Sequence, residues 1–187
     1  RSDARDEIVT YTYDALDRVL SESAGGETIT YTYDDTVIGT LSEISTPLLL
    51  TQYGYDMRLR KTSETKVIAD TGYTTSYAYD SMDRVTSKTI PDGTILEYEY
   101  NSQGLLDSIP SILQIDYNEA GQPTLRNYGN TLTSTLTYHP ENLRVTEIRT
   151  GFLQELDYTY DSKGNILSIS DEIRLESEDF VYDDLDR

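Results

Sequence analysis

The stretch Tyr11-Thr12-Tyr13-Asp14-Ala15-Leu16-Asp17-Arg18 decides the fold, because copies of it return along the whole chain. A near-identical stretch runs from Tyr77 to Arg84. Copies of the Tyr-x-Tyr-Asp core occupy residues 11–14, 31–34, 53–56, 77–80 and 158–161, and softer copies occupy 98–101, 115–118, 136–139 and 180–183. The second aromatic residue recurs every 17 to 24 residues, and 15 of the 17 tyrosines lie in these nine copies. The chain is therefore a tandem repeat array.

Each copy predicts a β-strand that ends in a turn. Apolar and aromatic residues alternate with threonine, acidic or small residues, as in Val9, Tyr11 and Tyr13, so one face of the strand is aromatic and the other polar. The aspartate that follows is a turn-forming residue. We expect turns at Asp14–Asp17, Asp80–Asp83, Asn101–Gly104, Asn118–Gly121 and Asp161–Gly164.

The residue three places after the aspartate is of a type that tolerates a left-handed backbone in seven of the nine copies. These residues are Asp17, Asp83, Gly104, Gly121, Asn142, Gly164 and Asp186. The second and third copies have Val37 and Leu59 there, so we expect their turns to differ.

A short second strand follows each turn, so the sequence predicts an all-β fold in which about 18 antiparallel strands form one twisted or curved sheet. Stacked repeats would make the tyrosines Tyr13, Tyr33, Tyr55, Tyr79 and Tyr100 a ladder of cross-strand neighbours. The tyrosine hydroxyl can stay in water or find a partner while its ring packs, which favours tyrosine over phenylalanine.

Composition narrows the partners. The net charge of −19 repels phosphate backbones and anionic membrane surfaces, so we expect no nucleic acid partner. No run approaches the roughly 20 apolar residues that span a bilayer, so we expect no membrane insertion by this segment. The absence of cysteine excludes disulfides and thiolate metal sites.

The repeats resemble those of the Rhs/YD-repeat family, whose usual form is Tyr-x-Tyr-Asp-x-x-Gly-Arg-Leu. The resemblance covers the whole chain, although aspartate often replaces the glycine, and the arginine is read as kept only at Arg18, Arg84 and Arg187. The family includes Rhs and wall-associated polymorphic toxins, toxin-complex cocoon subunits and teneurins.

The resemblance implies a segment of a spiral β-shell that encapsulates or presents a C-terminal toxin or effector domain, in a secreted or cell-surface protein. The partners it implies are other repeats of the same longer chain and an enclosed toxin domain. An extracellular adhesion or carbohydrate-binding module is the alternative, because an aromatic, hydroxyl-rich face suits sugars. We expect residues 1–187 to be one array of about nine repeats, truncated at both ends, because residues 182–187 open a repeat that does not finish.

We expect no catalytic, cofactor-binding or metal site, and therefore no enzyme. The single histidine, His139, stands at the aspartate position of its repeat, and no second histidine or cysteine could complete a site. The repeat aspartates Asp14, Asp34, Asp56, Asp80, Asp161 and Asp183 are accounted for by turns. The acidic pairs in Asp34-Asp35 and in residues 176–179 match no calcium-loop pattern, so solvated surface is the favoured interpretation.

Overall fold

The computed structural model describes residues 8–183, which contain β-strands, turns and no helix. The chain divides between Glu97 and Tyr98 into two compact units, each built around one nine-stranded sheet. In both sheets every strand pairs antiparallel with the next strand along the chain, so each sheet is a simple open meander. The predicted all-β, antiparallel fold class is confirmed.

The strands of the first sheet are β1 (Thr10–Tyr13), β2 (Val19–Ala24), β3 (Glu27–Tyr33), β4 (Leu41–Ser45), β5 (Leu50–Tyr55), β6 (Lys61–Ile68), β7 (Thr71–Tyr79), β8 (Val85–Thr89) and β9 (Ile95–Glu97). The strands of the second sheet are β10 (Glu99–Tyr100), β11 (Leu106–Ile109), β12 (Leu113–Tyr117), β13 (Pro123–Tyr128), β14 (Thr133–Tyr138), β15 (Val145–Thr150), β16 (Gln154–Tyr160), β17 (Ile166–Asp171) and β18 (Glu176–Asp179).

The prediction of one continuous sheet is wrong. The fifth repeat strand is divided at Tyr98: β9 pairs only with β8, and β10 pairs only with β11. The first half of this repeat strand is therefore the last strand of the first sheet, and its second half is the first strand of the second sheet. Alternation of apolar and polar residues continues through this strand, which is why the sequence gives no sign of the division.

The five predicted turns are confirmed. In each, the amide of the fourth residue donates to the carbonyl of the first, at 2.9–3.3 Å, and the fourth residue has a positive φ of 60° to 106°. These fourth residues are Asp17, Asp83, Gly104, Gly121 and Gly164. The second copy differs as expected: its turn is longer, and the Asp34 amide reaches the Thr40 carbonyl.

Two turn predictions are wrong. Leu59 makes the same turn as its neighbours, with φ at 64° and its amide bonded to the Asp56 carbonyl, so a branched side chain does not prevent the left-handed conformation here. In the seventh copy the left-handed residue is Leu143, at φ 58°, instead of Asn142, because this turn is one residue longer. Asp186 lies outside the described residues.

Every repeat strand ends in a β-bulge that the sequence did not reveal. Tyr13 pairs with Val19 while Thr12 pairs with Ser21, so Leu20 is an extra residue in the returning strand. The same shift occurs at the second aromatic residue of all eight repeat strands that the described residues contain. A bulge leaves backbone groups outside the ladder, and these groups need other partners.

Few side chains of the two sheets are buried. Among the described residues no large side chain is fully buried, and the buried hydrophobic ones are Ile115 and Leu136. The ladder tyrosines are half-buried at best, and Tyr13 is 55% exposed. The expectation that they are direct cross-strand neighbours is wrong, since Tyr13 pairs with Val19 and Tyr33 pairs with Leu41. The reason is topological: a returning strand separates successive repeat strands, which places their tyrosines about 10 Å apart.

Candidate functional site

A cluster of three side chains recurs at the first and third repeat turns, and parts of it recur at other turns. It consists of the motif aspartate, the arginine four residues later, and the second tyrosine of the next repeat. We call this cluster the turn clasp, and Asp14, Arg18 and Tyr33 form its first copy. It joins one repeat to the next, which is why it is the candidate site of this chain.

The aspartate holds the turn. Asp14 Oδ1 accepts hydrogen bonds from the Leu16 amide at 2.8 Å and from the Arg18 amide at 2.9 Å. Asp56 and Asp80 repeat both bonds. The Arg18 amide lowers the pKa of Asp14, the Arg60 guanidinium lowers that of Asp56, and the Arg84 amide lowers that of Asp80. Each carboxylate is therefore held in its charged form.

The arginine connects that turn with the next one. Arg18 Nε donates to Asp14 Oδ2 at 2.6 Å, and its two terminal nitrogens donate to Asp34 at 3.1 and 2.7 Å. Its guanidinium carbon lies 4.4 Å from the centre of the Tyr33 ring. A forked, planar cation suits both contacts at once, because it can pair with two carboxylates while it stacks on a ring.

The third repeat has the same clasp. Arg60 Nε donates to Asp56 at 2.7 Å, and its Nη1 donates to the Asp80 carbonyl at 3.0 Å and to Asp83 at 2.7 Å. The guanidinium carbon lies 4.7 Å from the Tyr79 ring centre. The sequence-based prediction of the motif arginine at three positions omits Arg60. Its position four residues after Asp56 was the signal that could have found it.

Arg144 was missed as well, because the longer turn shifts it by one place. Its guanidinium carbon lies 5.6 Å from the Tyr160 ring centre, and its nitrogens donate to the carbonyls of Asp161 and Lys163 at 3.3 and 3.1 Å. Gln122 takes the arginine position in another repeat and donates to the Leu143 carbonyl at 2.7 Å.

The tyrosine completes the clasp through its hydroxyl. Tyr33 Oη donates to the Val19 carbonyl at 3.0 Å, and Tyr79 Oη donates to the Lys61 carbonyl at 2.7 Å. Tyr117, Tyr138 and Tyr160 make the same bond, at 2.7–2.8 Å, to Leu106, Pro123 and Val145. Each acceptor is the residue just before the extra residue of a bulge.

The bulge explains this bond. The β2–β3 ladder ends at Ser21 and Thr30, so the Val19 carbonyl lies beyond it and has no ladder partner on β3. The phenol of Tyr33 reaches this carbonyl from the next repeat. Burial raises the pKa of Tyr117, Tyr138 and Tyr160, which keeps these phenols protonated and able to donate.

The other residues singled out in the sequence have structural surroundings. His139 stands in for the turn aspartate: its Nδ1 accepts from the Glu141 amide at 3.3 Å, and its own amide donates to the Arg144 carbonyl at 2.8 Å. The Asp35 amide bonds Ser42, and residues 176–179 form the exposed strand β18. Within residues 8–183 no group of three or more His, Asp or Glu side chains is placed to hold a metal ion.

Comparison with known proteins agrees with this geometry. The model of the RHS Repeat family matches residues 64–95, which hold the Tyr77–Arg84 copy of the motif. The chain therefore contains a segment that matches the RHS Repeat family. No curated protein matches it. Within the part of this chain that the structure describes, no helix is long and apolar enough to cross a membrane.

Solved structures share the fold of this chain. The crystal structure of TcdB2-TccC3-Cdc42 matches 96% of it at 20% identity, with a TM-score of 0.72. That of TcdB2-TccC3-TEV matches 95% at 19% identity, with a TM-score of 0.61. That of TcdB2-TccC3 without its hypervariable C-terminal region matches 88% at 19% identity, with a TM-score of 0.60. The chain spans only 11–12% of the length of these chains.

Proposed function

We propose that this chain is a wall segment of a hollow β-shell in a longer, secreted or cell-surface protein, and that the shell encapsulates or presents a C-terminal toxin or effector domain. The observation that carries the proposal is the turn clasp, whose arginine and tyrosine bond carboxylate and backbone partners across neighbouring repeats. Such an array builds an extended wall without a conventional core.

The likeness to TcdB2-TccC3 supports this proposal, since it covers nearly the whole chain, and one of those structures is described as lacking a hypervariable C-terminal region. The partners of the segment are then other repeats of the same longer chain and the polypeptide that follows them. Its role is structural, with no chemistry at the clasp.

Protease protection tests the proposal. In the longer protein, the polypeptide that follows the repeats should resist protease at concentrations that digest the same polypeptide expressed alone. Opening the wall by a double substitution, Arg18→Met with Arg60→Met, should restore digestion, and Arg58→Met should serve as the control. Equal digestion of the free and the attached polypeptide would contradict encapsulation.

An adhesion or carbohydrate-binding module is the second candidate. It is favoured by exposed rings on the tyrosine face, where Tyr11 and Tyr73 are 38% and 47% exposed. A screen of immobilised glycans with the 187-residue chain separates the two proposals. Specific glycan binding that Tyr73→Ala abolishes would favour the carbohydrate-binding module. The absence of binding to any glycan would favour the shell segment.

A further inference from the structure

Three of the four lysines of this acidic chain lie together in the first sheet. They are Lys61 and Lys66 on β6 and Lys88 on β8, on either side of β7. With Tyr73 and Tyr77 of β7 they form what we call the lysine patch. In a chain of net charge −19, such a concentration of positive charge is a local exception that calls for a function.

The five side chains share one face of the sheet. Lys66 is the cross-strand partner of Tyr73, and Lys88 is the partner of Tyr77, and directly paired residues point to the same face. Lys61 belongs to this face too, because its Nζ lies 5.3 Å from the Tyr77 ring centre. Tyr77 is thus flanked by two lysines, and Tyr73 by one.

The patch carries more positive charge than its surroundings neutralise. Among the described residues, the carboxylate that pairs with these lysines is that of Glu64, whose oxygens lie 2.7 Å from Lys61 Nζ and 3.4 Å from Lys66 Nζ. Lys88 makes no ion pair within residues 8–183. Lys66 is 53% exposed and Tyr73 is 47% exposed, so both can be reached from solvent.

The spacing of the patch fits an extended peptide. Tyr73 and Tyr77 are four residues apart on one strand, which is about 13 Å. A strand-like segment lying along β7 would place two side chains, four residues apart, beside Lys66 at one end and beside Lys61 and Lys88 at the other. The side chain midway between them would meet the tyrosine-lined surface.

The net charge of the chain and the contacts of its tyrosine rings limit the class of anionic partner that can bind the lysine patch. Nucleic acid is opposed by the field of the whole chain. A sugar would need free ring faces, but Lys61 already lies 5.8 and 5.3 Å from the ring centres of Tyr53 and Tyr77. Carboxylates remain, and Glu64 shows that these lysines pair with one at 2.7 Å.

We propose that the lysine patch binds an extended acidic polypeptide segment, with two carboxylate side chains four residues apart and an apolar side chain midway. This binding function goes beyond that of a wall segment, and it is independent of whether the chain encloses anything.

Calorimetry with the 187-residue chain at low ionic strength tests the proposal. The probe is a capped, threonine-rich peptide with two glutamates four residues apart and a leucine midway, and the control peptide has glutamine in place of both glutamates. The double variant Lys66→Gln with Lys88→Gln should bind the probe about tenfold more weakly, which is what two exposed ion pairs contribute. The control variant Lys163→Gln with Arg174→Gln removes the same charge elsewhere and should stay within about twofold.

Three results would overturn the proposal. The first is no binding of the glutamate peptide at low ionic strength, and the second is an equal loss of affinity in both double variants, which would indicate a general charge effect. The third is tighter binding of polygalacturonate than of the peptide, which would assign the patch to an acidic glycan. Tighter binding of the glutamate than of the glutamine peptide, lost only in the patch variant, supports it.

Discussion

At the residue scale, the hydroxyl explains why the repeat has tyrosine and not phenylalanine. A phenylalanine ring would cover the sheet equally well, but it could not bond the carbonyl that each bulge leaves beyond the ladder. An unpaired backbone carbonyl destabilises the folded state where water is excluded. The phenol of the next repeat removes this destabilisation by donating a hydrogen bond to the carbonyl. This need accounts for five of the 17 tyrosines, namely Tyr33, Tyr79, Tyr117, Tyr138 and Tyr160.

Removal of one hydroxyl tests this explanation. Tyr79→Phe deletes the 2.7 Å bond to the Lys61 carbonyl and should lower the free energy of unfolding by about 0.5–1.5 kcal/mol. Tyr73→Phe removes a hydroxyl from a ring that is 47% exposed and should change it by less than about 0.5 kcal/mol. Urea denaturation of both variants gives the two values, and equal losses would contradict the role of the hydroxyl.

Two arginines of one turn allow a matched test of the clasp. Arg60 is 22% exposed and contacts Asp56, Asp83 and the Tyr79 ring, whereas Arg58 is 57% exposed and reaches only Asp83 and a carbonyl. Arg60→Met should lower the melting temperature by several degrees, because it removes contacts to two repeats. Arg58→Met should leave it nearly unchanged, as surface ion pairs contribute little. A larger effect of Arg58→Met would refute the clasp.

At the element scale, the strands and most turns could be predicted, because they depend on alternation and on residues with known turn preferences. Three features could not. The bulges leave no mark in the alternating pattern, and the division at Tyr98 occurs within an ordinary repeat strand. Leu59 adopts a backbone conformation that its residue type disfavours, because Asp56 and Arg60 hold both sides of that turn.

Part of the turn clasp could be predicted from the sequence. The aspartates were assigned to turns correctly from their residue type, and His139 was identified as a substitute. The contact of an arginine with the next repeat depends on the distance between neighbouring strands, which no local pattern reveals. Arg60 was nevertheless readable from its spacing to Asp56.

The strained turn at Leu59 yields a prediction for that element. A left-handed backbone costs a non-glycine residue roughly 1–2 kcal/mol, and glycine adopts it freely. Leu59→Gly should therefore raise the free energy of unfolding by about 0.5–1 kcal/mol after the greater freedom of the unfolded chain is counted. The reciprocal change Gly121→Ala, at φ 76°, should lower it by about 1 kcal/mol. Destabilisation by Leu59→Gly would show that its side chain, 56% exposed, packs more than its exposure indicates.

At the scale of the whole molecule, stability is distributed over many contacts between repeats instead of a core. Buried hydrophobic side chains are few among residues 8–183, so neighbouring repeats must supply most of the cohesion. This distribution makes the array sensitive to conditions that act on many contacts between repeats together, of which high pH is the clearest.

The folded state raises the pKa of Tyr55, Tyr117, Tyr138 and Tyr160, chiefly through burial. A raised pKa contributes stability below the unfolded value of about 10, and this contribution is lost as the pH rises through the folded value. We therefore expect the free energy of unfolding to fall steadily above about pH 10. Tyr138→Phe should flatten part of that decline in denaturation curves recorded across this range, and a stability independent of pH there would contradict the burial of these phenols.

Electron microscopy of the longer protein tests the shell account most directly, with residues 8–183 located in the reconstructed map. The account predicts that these residues form part of a curved, single-layered wall around a cavity, with the clasp arginines bridging successive repeats and with density for the following polypeptide inside. A map in which these residues form a solid rod or a free-standing lobe, with no cavity beside them, would contradict it.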